Sequence, residues 1–150
     1  MREWAAEEVK AAADAAGVAI ERLSLEEAEQ IRLLVESEYS GDGDLGWPLW
    51  EHMHGVGIHD PAARLWIADF VGSRECFILF DPQDARTGFR VPVGNDLTPL
   101  LEPLNGVEFY VTDFDAEYLL CYNHHEVLVA AGSASSWLQA RIGQEEPPDG

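Results

Sequence analysis

The sequence predicts an α+β domain, an antiparallel sheet of about five to six strands with N-terminal helices and a C-terminal helix packed mainly on one face. Three observations carry this. The first forty residues show helical apolar spacing, with a stop signal at Gly17 and a start signal at Ser24. The stretch 107–132, VEFYVTDFDAEYLLCYNHHEVLVAAG, holds apolar runs separated by two polar turns. Residues 76–80, CFILF, are apolar at every position, as a central strand covered on both faces requires.

Residues 3–16 are alanine-rich, with no internal Gly or Pro, and read as a helix ended by Gly17. Trp4 is its one bulky side chain, so the helix is expected to pack through an alanine stripe. Residues 18–20 form a short extended link. Ser24 and Glu27 make a capping box for a second helix. Leu25, Ala28, Ile31, Leu34 and Val35 form its apolar face, and Glu26, Glu27, Glu29, Glu36 and Glu38 lie mostly opposite. Residues 41–46, GDGDLG, form a loop. Its Asp-x-Asp start resembles a calcium loop, but the later ligands are missing, and calcium binding is rejected. Residues 47–53 suit one or two helical turns with Pro48 in the first, and 54–61 read as irregular.

Residues 64–71 and 75–80 read as a hairpin closed at Gly72-Ser73. Residues 88–93 read as an edge strand because of Pro92. Asn95 or Asp96 caps a short helix through Leu104, closed by Asn105-Gly106. Three antiparallel strands then follow in sequence, with Val107, Phe109 and Val111 alternating with Glu108, Tyr110 and Thr112. Ser133 caps a last helix carrying Trp137, Leu138 and Ile142, and the tail from 143 reads as frayed. No linker or repeat divides residues 1–150, so one domain is expected.

Charge is the dominant global property: 28 Asp plus Glu against 9 Lys plus Arg, formally −19. Such a surface repels phosphate backbones and anionic lipid, so neither nucleic acid nor membrane is an expected partner. A basic protein would be attracted and steered in. The bland alternative is that the acidity serves solubility alone. No apolar run is long enough to span a bilayer, and the acidic N-terminus reads as no signal peptide, so a cytoplasmic location is expected. Cys76 and Cys121 sit in apolar strand patterns and read as buried, reduced thiols.

The histidines fall in two places, His52, His54 and His59, and His124-His125. Clustered imidazoles invite a metal reading. Against it, residues 52–54 are not in a strand, adjacent histidines 124 and 125 point apart in an ordinary turn, and no HExxH or CxxC frame occurs. A paired-histidine nuclease is discarded because the later Asn and His on a following helix are absent. No nucleophile elbow, P-loop or dinucleotide fingerprint is present, so no catalytic residue, metal or cofactor is assigned. Asn123-His124-His125-Glu126 has two readings, a turn locked by Asn123 and an imidazole, or a recognition point. Trp47, Trp50 and Trp66 read as core or cover residues.

The string Tyr110, Asp113, Tyr118-Leu119, Asn123-His124-His125-Glu126-Val127-Leu128 and Gly132 resembles the C-terminal pattern of a poorly characterised family of small bacterial proteins. There an Asn-His-His-Asp motif follows an aromatic-leucine pair. The chain departs from it at Tyr118, where Trp is common, and at Glu126. That family transfers no activity. More loosely, a small acidic α+β protein with Trp-rich loops resembles immunity proteins of polymorphic toxin systems. This second resemblance implies an inhibitor that neutralises a cognate, basic protein toxin. The partner-binding residues expected are Trp47, Trp50, His52, His54, Asp42, Asp44, Glu36, Asp115, His124 and His125, with Glu26 and Glu29 adding charge. The alternatives are a histidine-based metal-dependent enzyme and a non-enzymatic adaptor.

Overall fold

A computed structural model of the chain describes residues 3–39, 49–51, 53–104 and 106–145. The expectations for the loop at 41–46, for Pro48 and for Asn105 fall outside these residues.

The architecture is α+β. A seven-stranded sheet has the order β1-β4-β3-β5-β6-β7-β2, with every neighbouring pair antiparallel. The strands are β1 (Glu21–Arg22), β2 (Val56–His59), β3 (Cys76–Leu79), β4 (Phe89–Val91), β5 (Phe109–Thr112), β6 (Tyr118–Tyr122) and β7 (Val127–Gly132). The helices are α1 (Trp4–Ala16), α2 (Leu25–Tyr39), α3 (Ile67–Val71), α4 (Leu97–Leu101) and α5 (Ala134–Glu145). Side chains of period two divide the core into two layers. Cys76, Ile78, Phe109, Val111 and Leu120 meet α1, α3, α4 and α5 on one face. Phe77, Leu79, Tyr110, Leu119 and Cys121 meet α2 and the segment around Leu49 and Met53 on the other. Among the described residues the helices therefore lie mainly on one face, with α2 and the segment around Leu49 and Met53 on the second.

The two N-terminal helices form where local signals place them. Gly17 adopts the left-handed conformation, φ 68°, and its N–H reaches back to carbonyls of the last turn of α1. Ala5, Ala6, Val9, Ala12 and Ala13 are buried, whereas Trp4 is 42% exposed and donates its indole N–H to Asp84. At α2, Glu27 N–H donates to Ser24 Oγ at 3.1 Å and Ser24 N–H to Glu27 Oε1 at 3.0 Å, the expected reciprocal box.

The buried face of α2 differs from expectation. Ala28, Ile31 and Val35 are buried with Arg32 and Glu36, while Leu25 and Leu34 are exposed. Glu36 is therefore a buried carboxylate, not a surface one. Arg32 lies four residues earlier on the same ridge, feels its charge, and donates to the Arg86 carbonyl at 2.6 Å.

Other elements correct the sequence reading. Residues 64–71 are not a strand. A 3-10 turn, Ala63–Trp66, runs into α3, burying Ala63, Trp66, Ile67 and Val71 at helical spacing. β2 forms where irregular chain was expected, pairing with β7 along Val56–His59. β4 is not an edge strand, because β1 caps it and Pro92 falls one residue beyond it. Asp96 makes no side-chain capping bond, and the helix it was to cap ends at Leu101. Cys76 and Cys121 are buried and unlinked, one in each core layer. Burial pushes the Cys76 thiol up to about 12, far from a reactive thiolate.

Candidate functional site

Two turns bracket β6, and each builds a candidate site at one end of the central hairpin. Along the strand they stand roughly 15 Å apart at about 3.3 Å per residue.

At the β6–β7 turn, Asn123 is 2% exposed. Its Oδ1 accepts the His125 N–H at 2.9 Å and the Val127 N–H at 3.2 Å. This is the turn lock the sequence offered as one of two readings. The left-handed residue is Glu126, φ 61°, rather than Asn123. The two imidazoles lie together, with ring centroids 4.0 Å apart, so the expectation that they diverge is corrected. Trp50 stands edge-on to both rings, at 6.3 Å from His124 and 5.9 Å from His125. It is held there twice. Its backbone N–H donates to the Tyr110 hydroxyl at 3.2 Å, and its indole N–H donates to Glu108 Oε1 at 2.8 Å.

Glu108 is the residue that sequence reasoning missed. It reads as the outward position of an alternating strand, yet it is 6% exposed because Trp50 covers the second face of the sheet. His124 Nδ1 lies 3.2 Å from the same oxygen, Oε1. Burial pushes the Glu108 carboxyl above its ordinary value, and the His124 and Trp50 hydrogen bonds pull partly the other way. A buried carboxylate on one imidazole nitrogen fixes the ring and leaves the other nitrogen for proton transfer or ligation. A cleft of about 340 Å³ adjoins it, between Arg64, Glu102, Tyr122 and His124. The Arg64 guanidinium is already engaged by the backbone carbonyls of Pro61, Leu101 and Glu102. Among the described residues, no three His, Cys, Asp or Glu side chains converge to hold a metal ion.

At the β5–β6 turn, Asp113 Oδ1 accepts the Glu117 N–H at 2.8 Å, and Ala116 takes a φ of 53°. The Tyr39 hydroxyl donates to the Ala116 carbonyl at 2.6 Å, tying α2 to the turn. Phe114 stands 72% exposed at the apex between Asp113 and Asp115. Its ring centroid lies 6.3 Å from that of Phe77.

Of the residues expected to bind a partner, Trp50, His124 and His125 come together. His54 and Asp115 are exposed elsewhere, and Glu36 is buried. Trp47, His52, Asp42 and Asp44 lie outside the described residues. The chain matches no family model, no curated protein and no solved structure with which it was compared. No helix among the described residues is long and apolar enough to cross a membrane.

Proposed function

We propose that this protein is a non-catalytic binding module that masks a basic partner protein, in the manner of an immunity-type inhibitor acting in the cytoplasm. The observation that supports it most is the disposition of charge. Lys10, Arg22, Arg90 and Arg141 pair with carboxylates of the same chain. Arg32, Arg64 and Arg74 donate to backbone carbonyls. Glu26, Glu29, Glu38, Glu51, Asp115 and Glu117 meanwhile face solvent. These seven cations thus have partners within the chain, while many carboxylates face solvent. A surface of that kind steers a basic protein in and repels nucleic acid.

The test is co-purification from the host, followed by association rates at rising ionic strength. The expected result is a basic partner whose on-rate falls steeply with salt. No retained partner, or one whose on-rate ignores salt, contradicts the reading. An adaptor whose acidity serves only solubility would give the second outcome.

The Glu108–His124 pair beside its cleft favours a second reading, a histidine-based metal-dependent enzyme. It requires stoichiometric metal in protein prepared without a polyhistidine tag, lost on His124→Ala with the fold retained. Metal-free protein of unchanged stability ends it.

A further inference from the structure

The surface between α2 and the β5–β6 turn carries a groove of about 490 Å³, within the range of small binding clefts. Its floor is apolar: Leu23, Ile31 and Phe77 are each at least nine-tenths buried and line it. Phe114 lines it too and is the most exposed large apolar side chain among the described residues. An isolated exposed apolar residue is ordinary; what sets Phe114 apart is that it stands at a concave groove with apolar side chains in its lining and charged ones around them.

The rim decides what fits. Glu21, Glu27 and Glu75 stand against one cation, Arg90. That guanidinium is already held by Glu75 at 2.6 Å and Glu21 at 2.8 Å. Asp113, Asp115 and Glu117 surround Phe114 in the chain. An apolar occupant alone would leave these charges uncompensated at a drying interface, and an anionic one would be repelled.

We infer that this groove is the docking site for a basic segment of the partner protein, one that lays a bulky apolar side chain against the exposed face of Phe114, over the groove that Ile31 and Phe77 line, while its Lys or Arg side chains meet the acidic rim. The inference rests on the binding-module reading and places its interface on the α2 face, away from the histidine turn. Phe114 is the anchor, since aromatic side chains desolvated at an interface carry much of its binding energy.

The test uses two synthetic probes on the intact chain, a short peptide of alternating arginine and leucine and its arginine–glycine counterpart. Backbone amide resonances are followed by NMR. The expected result is that the arginine–leucine peptide shifts resonances of 27–34, 75–79 and 113–117, and binds more tightly than the arginine–glycine peptide. Phe114→Ala lowers its affinity about tenfold with the melting temperature unchanged. If both peptides bind equally and shift resonances across every acidic face, indifferent to Phe114→Ala, the groove is overturned while the charge-based reading stands. If neither peptide binds at low salt, both fall.

Discussion

The two turns that bracket β6 share one construction and dispose their apex side chains differently. In each, an Asp or Asn side chain accepts backbone N–H groups further along the turn, and a residue other than glycine takes a positive φ. At Asn123–Glu126 the apex side chains turn back, His124 onto Glu108 and both imidazoles against Trp50. At Asp113–Glu117 the apex is Phe114, 72% exposed. Backbone geometry therefore does not decide how far an apex side chain projects. What the apex finds to pack against decides it. The histidine pair is the more conspicuous in the sequence; both imidazoles contact Trp50 and stay exposed, whereas the plainer turn projects the most exposed large apolar side chain among the described residues.

Substitutions can sharpen or break this contrast. The largest effect is expected at Gly132, which holds the Phe114 end of the hairpin against α2. Its φ is 66°, and a Cβ there would stand 2.4 Å from both the Glu117 carbonyl oxygen and the Tyr39 hydroxyl. Gly132→Ala should destabilise by about 3 kcal/mol, adding left-handed strain to overlap, as read by urea unfolding. Next, Asn123→Ala should cost about 2 kcal/mol, because a nearly buried acceptor of two N–H groups is lost. Asp113→Ala, which removes one exposed bond, should cost about 1 kcal/mol or less. Equal losses at the two positions would erase the distinction between the turns.

A pH effect comes next. The Glu108 carboxyl is raised above its ordinary 4.5 by burial. Between 4.5 and that higher value the folded chain holds a proton that the unfolded chain has released. Stability from this group is thus present at low pH and lost as pH rises through the window. Glu108→Gln lacks the loss, so its stability relative to wild type should climb from pH about 4 to about 7. A difference that stays flat across that range would mean Glu108 is not buried against Trp50. The smallest stability effect belongs to Phe114→Ala, expected within about 0.5 kcal/mol of wild type. A larger loss would make Phe114 a core residue and remove it as an anchor.

What could be read from the sequence followed from how local its causes are. The α2 capping box and the Gly17 stop depend on neighbours in the chain and were legible. Cys76 to Phe80 announced a covered strand through apolarity alone. Residues 64–71 were misread because a short apolar run has no decisive period, and the spacing of Ala63, Trp66, Ile67 and Val71 shows as helical only once burial is known. β2 owes its strand to pairing with β7, which overrides Gly57 within it. Glu108 looked like an outward residue because nothing in the sequence says that Trp50 folds over the second face. For the same reason Glu36 was placed outside, although Arg32 beneath it could have signalled a buried charge. The groove was invisible, since Leu23, Ile31, Phe77 and Phe114 come from four separate segments.

On the proposal made above, the partner is met at the projecting turn and not at the histidine turn. The most direct test of this is the affinity of the co-purified partner for Phe114→Ala and for His125→Ala at one ionic strength, both checked for an unchanged melting temperature. The account predicts about a tenfold loss for Phe114→Ala and less than about twofold for His125→Ala. The reverse order, with His125→Ala weakening binding and Phe114→Ala leaving it intact, would contradict it.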